Sequence, residues 1–241
     1  MWAFRNAGAV GTSFNAAVTP GTPAVINAND TLIIATSEYF GTNTRPTAPT
    51  GWVDKTLGVN WTTGSAVYMR IADGTGADAM PAITSWGNQF QAAVCLVYSG
   101  GFSSLANLVD TGCDRAYNTT NTLSFLSVPT PTNDNSLIVL ISFKNTLGNA
   151  SPVLTEAGVL VGFNRRVTYW PTSTRPTIVV DDYIQTTKTS YVASTINMNF
   201  TEASAQNGHS TIFVLNLGVA GNSLPRLERT SGRGMLRGVR I

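Results

Sequence analysis

The chain has 241 residues, of which 43% are apolar and 12% charged, and its formal net charge is +2. A charged fraction about half the usual ~25%, with Thr, Ser, Asn and Gly in the vacated places, excludes a long helical or coiled-coil protein. Aromatic and β-branched residues spread along the whole length exclude intrinsic disorder. A chain of this size buries roughly 70 to 75% of the surface its unfolded form exposes, so it needs neither disulfide nor metal to fold.

The first residues, Met1-Trp2-Ala3-Phe4-Arg5, show no basic region followed by an apolar core. No run reaches the ~18 apolar residues of a membrane helix. The expectation is a protein made without a signal peptide and without a membrane partner, with residues 1–13 as an N-terminal arm. Short runs rich in Val, Ile, Tyr and Thr then recur, each bounded by Gly, Pro, Asn or Asp, which is the strand signature. They predict strands over residues 14–18, 31–37, 64–72, 82–86, 92–98, 123–128, 136–143, 159–170, 176–186, 195–200 and 210–217. No stretch of eleven residues keeps a 3.6-residue apolar period, although residues 102–108 have room for one helical turn. The fold class is all-β.

A faint duplication runs through this order. Residues 14–18 lead through a Pro-rich turn into Asn29-Asp30-Thr31-Leu32-Ile33-Ile34, and residues 123–128 lead through another into Asp134-Asn135-Ser136-Leu137-Ile138-Val139. Each half continues with a long strand (66–71 or 178–184), a short one (83–86 or 196–200) and a closing one (93–98 or 211–216). A period of more than a hundred residues is too long for a solenoid. It fits one jelly-roll β-sandwich over residues 14–222 built from two similar Greek-key halves, with two separate small sandwiches as the rival arrangement.

Motifs for chemistry are sparse. His209 is the single histidine, and its setting, Asn207-Gly208-His209-Ser210, reads as a surface or turn position. No G-x-S-x-G elbow, phosphate-binding glycine loop or H-E-x-x-H is present. Asp181 and Asp182 adjoin in a predicted strand, so their side chains point to opposite faces and cannot act as one pair. Asp73-Gly74-Thr75-Gly76-Ala77-Asp78 has oxygen ligands for calcium but not the acidic density of an EF-hand loop, and reads as a hairpin turn. Cys95 and Cys113 have neither zinc nor redox spacing and read as reduced thiols. No catalytic residue, cofactor or metal is therefore expected. Trp52, Trp61 and Trp170 lie in or beside strands, where large aromatics serve a core, a subunit interface or a sugar ring.

The charge is unevenly placed. Residues 1–222 hold ten cations against twelve acids, whereas residues 223–241 hold five arginines against Glu228. The near-neutral body thus ends in a C-terminal arm of charge +4. Arg226, Arg229, Arg233, Arg237 and Arg240 alternate there with apolar residues that include Leu236 and Ile241, a composition suited to a protein partner more than to nucleic acid. Arginine's planar fork pairs with carboxylates while its stem covers apolar surface.

Four segments carry a family resemblance: Asn29-Asp30-Thr31-Leu32-Ile33-Ile34, Pro49-Thr50-Gly51-Trp52, Val67-Tyr68-Met69-Arg70-Ile71-Ala72 and Ala92-Ala93-Val94-Cys95-Leu96-Val97-Tyr98-Ser99-Gly100. With the second-half element Asp134-Asn135-Ser136-Leu137-Ile138-Val139, the chain resembles tailed-bacteriophage virion proteins that carry a jelly-roll surface domain. The likeness spans residues 14–217, and the second half has no Pro-x-Gly-Trp copy. The resemblance implies a non-enzymatic structural protein of the virion, made in the host cytoplasm. It would be a capsid decoration or cement protein, often a homotrimer, docked on the major capsid protein or another virion protein. The alternative it implies is a tail-fibre or receptor-binding module that holds a host-surface glycan.

Overall fold

The computed structural model describes residues 1–38, 47–56, 64–75, 78–84, 89–100, 105, 114–118, 122–125, 131, 133–146, 152–157, 162–171, 175–187, 195–200 and 208–216. The Arg-rich arm at 223–241, Trp61 and Cys113 lie outside them. Fourteen strands are described. In the first half they are β1 (Ala3–Ala7), β2 (Gly11–Phe14), β3 (Thr31–Glu38), β4 (Val53–Asp54), β5 (Gly64–Ile71) and β6 (Phe90–Ser99). In the second they are β7 (Asp114–Asn118), β8 (Thr122–Phe125), β9 (Ser136–Thr146), β10 (Pro152–Ala157), β11 (Asn164–Tyr169), β12 (Arg175–Gln185), β13 (Thr195–Phe200) and β14 (Gly208–Leu215). Every pairing among them is antiparallel.

The first sheet runs β1-β6-β3-β5-β4, with β2 also on β6, and the second runs β11-β12-β9-β14-β7. Read from opposite ends, these are one order used twice. β3 and β9 are the central strands, each held between the last strand of its half (β6, β14) and a long partner strand (β5, β12). The likeness extends to single atoms. Asn29 and Asn135 both adopt left-handed backbone, with φ of 64° and 55°, a conformation Asn tolerates better than most residues. The Asn29 amide donates to the Ala72 carbonyl just past β5, and the Asn135 amide donates to the Thr186 carbonyl just past β12.

A third sheet, β10-β13-β8, belongs wholly to the second half. Its counterpart in the first half is a single bridge between Val18 and Ile83. Among the described strands, no sheet mixes the two halves. Interleaving of the halves into one two-sheet sandwich is therefore not what forms; each half builds its own sheets, as in the rival arrangement, and the two large sheets then stack.

The stacking follows from composition. Ile33, Ala35, Val67, Met69, Val94 and Leu96 of the first sheet pack with Val139, Ile141, Phe143, Ile178, Val180 and Phe213 of the second in one buried cluster. The other face of the second sheet buries Ile138, Leu140, Val179 and Val214 against Ile196, Met198 and Phe200 of β13. The outer face of the first sheet buries Leu32, Ile34, Tyr68, Cys95 and Val97 under Val18, Ile83, Met80 and Trp52. Strands covered on both faces are apolar at successive positions instead of alternate ones. This is why β3, β6 and β14 are buried almost end to end. Each Val, Leu, Ile or Phe so enclosed contributes about 1.5 to 3 kcal/mol.

Residues 1–13 are not an arm. β1 and β2 pair with β6 along Ala3 to Phe14, and Trp2 is buried in the cluster between the large sheets. The segment around Thr19 to Pro23 then crosses this edge at backbone contact, with the Gly21 amide donating to the Ala9 carbonyl. Residues 14–18 supply the end of β2 and the Val18 bridge, not one strand. The short β4 and the strands β7 and β10 have no counterpart among the predicted ones. The helical turn expected over 102–108 lies outside the described residues except at Leu105.

Candidate functional site

Four groups of polar side chains and one exposed aromatic stand out from this frame. At the seam between the large sheets, Arg166 of β11 pairs with Asp182 of β12 at 2.7 Å, and its guanidinium lies 4.7 Å above the Phe4 ring of β1. Tyr98 of β6 is fully enclosed beside the same carboxylate. Burial first, and then the Asp182 charge, push its phenol well above the usual tyrosine value. The hydrogen bond to Asp182 raises the Arg166 pKa in turn.

On the other face of β12, Asp181 pairs with Arg165. The opposite orientation of Asp181 and Asp182 follows from the two-residue period of a strand. The sequence pattern contained this much; it did not contain the two β11 arginines that close over the pair. A register shift between Arg165 and Val167 places the two adjacent arginines over the two adjacent aspartates.

His209 is not at the surface. It lies in β14 with 1% of its area exposed, its Nδ1 3.2 Å from Ser65 Oγ of β5 and its Nε2 3.1 Å from Thr211 Oγ1. Phe143 stacks on it nearly parallel, with centroids 6.0 Å apart. A serine and a histidine in contact are the pair that nucleophilic chemistry uses; here Ser65 and His209 are both buried, at 3% and 1% exposed.

The Asp73–Asp78 turn is organised around a side chain. Arg70 reaches Asp73 and Asp78 at 2.8 Å each, while the Thr75 amide and hydroxyl both donate to Asp73 Oδ1. Those Thr75 bonds, with Arg70, hold the Asp73 carboxyl below its ordinary value, whereas burial holds Asp78 above it. The Arg70 guanidinium pairs with both carboxylates. Among the described residues, no group of three or more His, Cys, Asp or Glu comes together, and no helix is long and apolar enough to cross a membrane.

The candidate aromatics divide. Trp52 is buried beneath the outer face of the first sheet. It closes a turn in which its amide donates to the Pro49 carbonyl and Gly51 has φ of +81°, the geometry of a type II turn. It is a core residue, not a ligand platform. Trp170 follows the edge strand β11 and is 44% exposed. Cys95 is buried, and burial raises its thiol pKa far above the usual range, so it is inert. No protein-family model matches the chain, and no curated protein is similar to it at a significant level.

Proposed function

We propose that this chain is a structural virion protein of a bacteriophage, a capsid decoration or cement protein that self-associates as a trimer and docks on capsid or neighbouring virion proteins. The observation that carries the reading is the tandem use of one strand order. Counting the second half as strands one to eight from β7 to β14, strand one pairs with eight, two with seven and three with six. That is the pairing of a long hairpin wound into a jelly roll. The first half repeats it with β1 and β2 on β6, β3 on β5, and Val18 on Ile83. Each half is thus read as a jelly roll in its own right, and the pair as a thick, rigid β-slab suited to load bearing.

The scarcity of free charge supports the same reading. Arg5 pairs with Asp30, Arg70 with Asp73 and Asp78, and Arg165 and Arg166 with Asp181 and Asp182. Surfaces destined for burial between subunits are poor in Lys, Glu and Asp. The experiment is gold-labelled electron microscopy of intact particles, together with particle binding by a chain lacking residues 223–241. Label on the capsid lattice, and loss of binding by a truncated chain that still folds, are expected. Label confined to the tail, or undiminished binding, overturns the decoration role or the docking arm respectively.

Trp170 favours one second reading, a glycan-binding module. A glycan array probed with the protein and with Trp170→Ala decides it: binding that the substitution abolishes supports the module, and binding that it leaves intact counts against it.

A further inference from the structure

The two large sheets meet about a pseudo-twofold axis that runs along the strands between β3 and β9. In the shared strand order β6 corresponds to β14, and β5 to β12. The stacking exchanges them. β6 faces β12, where Tyr98 lies beside Asp182, and β5 faces β14, where Ser65 meets His209 at 3.2 Å. A surface that meets its own counterpart in this reciprocal way is the rule of a twofold interface between identical subunits. Here both versions of the surface belong to one chain.

The side chains break this symmetry at the polar contacts. Asn29 corresponds to Asn135, so Ser37 corresponds to Phe143, Thr31 to Leu137 and Ile33 to Val139. Ser65 and Ala92 flank Ser37, as Ile178 and His209 flank Phe143. The image of the Ser65–His209 bond is therefore Ile178 against Ala92, both in the apolar cluster. Tyr98 likewise corresponds to Leu215 and Asp182 to Met69, so the image of the Tyr98–Asp182 contact is Leu215 against Met69, also in that cluster. Pairing of like halves would set these residues wrongly, each twice. Two second halves would bring His209 against Ile178 and Asp182 against Leu215, so that buried polar groups face hydrocarbon. Two first halves would bring Ser65 against Ala92, with a gap between small side chains, and the Tyr98 phenol against Met69.

We propose that the seam is a recognition surface with an assigned partner: the inner face of each half accepts the unlike half, in its own chain or in a second copy with which it exchanges halves, and rejects the like half. Ser65, His209, Tyr98 and Asp182 determine that choice, while the apolar remainder, which either half could serve, supplies the affinity. The choice operates whatever the folded chain docks on.

The test uses full-length chains unfolded in urea, refolded at low and high concentration, and sized by light scattering. Ser65→Ile with His209→Ala makes every apposition at that level Ile with Ala, so that like and unlike pairing are no longer distinguished there. Adding Ala92→His and Ile178→Ser rebuilds the polar pair at its image position. The unmodified and four-site chains should return to their starting mass. The two-site chain should leave about tenfold more material in larger species at high concentration, since like pairing then forfeits no hydrogen bond at that level. A two-site chain that recovers as fully as the unmodified one, or a four-site chain that misassembles as much as the two-site one, overturns the proposal. Should the variants fail to fold, the unmodified chain answers through photo-leucine cross-linking at Leu96 and Leu215 after refolding a mixture of heavy- and light-isotope copies. Links within one chain, or heavy-to-light links joining β6 to β12 or β5 to β14, support the assigned partner; heavy-to-light links joining β6 to β5 or β14 to β12 overturn it.

Discussion

Ser65 Oγ lies 3.2 Å from His209 Nδ1, and this bond joins β5 of the first half to β14 of the second across the seam between the large sheets. Removing either partner leaves the other enclosed with one hydrogen bond fewer. Ser65→Ala should cost about 1 kcal/mol and His209→Ala more, since it also removes the ring stacked on Phe143. In a double-mutant cycle by urea denaturation, a coupling of about 1 kcal/mol is expected. Strict additivity would mean that the bond does not fasten the halves.

Asp182 gives a larger effect. Arg166→Ala leaves that carboxylate buried without its cation, and a loss of about 3 kcal/mol is expected. Replacing Arg166 and Asp182 together with Met and Leu should restore most of it, because no charge then remains to be desolvated. A double variant as unstable as Arg166→Ala would show that the seam depends on the ion pair itself.

Glycine is required where backbones touch. A Cβ on Gly8 would stand 1.8 Å from the Gly21 carbonyl oxygen, and one on Gly11 1.9 Å from the Thr19 oxygen. Both neighbours are backbone and cannot swing aside, so Gly8→Ala and Gly11→Ala should each lose about 3 kcal/mol or fail to fold. Gly51→Ala meets open space and carries only the strain of its positive φ, about 1 kcal/mol. Thermal melts of the three variants should rank accordingly.

The Asp78 carboxyl has its folded-state pKa above the ordinary carboxylate value. The folded chain therefore holds this proton more tightly than the unfolded one. The associated stability is fully present below the unfolded pKa and is lost as pH rises through the folded value. Between pH 7 and about pH 4, the melting temperature of the native protein should rise relative to that of Asp78→Asn. A parallel pair of curves would contradict the assigned shift.

The all-β class was legible because β-branched runs, turn residues and the missing helical period agree along the whole chain. So was the duplication, through Asn29 to Ile34 and Asn135 to Val139. Runs such as Leu137 to Ile141, apolar at every position, are the mark of strands covered on both faces, but they do not say by what. β1 and β2 were not legible because Ala3 to Ala7 and Gly11 to Phe14 are short strands whose pairing comes from β6, 76 to 96 positions away. The candidate site was legible only in part. Trp170 is exposed, whereas Trp52 lies in the buried cluster with Leu32 and Tyr68, behind the Pro49 to Trp52 turn.

By itself, the sequence determined the strand content, the doubled order and the opposed faces of Asp181 and Asp182, all of which depend on local periodicity and turn chemistry. Only the tertiary structure decided that the two halves build separate sheets and meet face to face. Tertiary packing likewise brought His209 against Ser65, set Arg165 and Arg166 over the aspartates, and buried Asp78 beside Arg70. These depend on contacts between residues up to 144 positions apart, and no local pattern encodes which of several apolar faces will find each other.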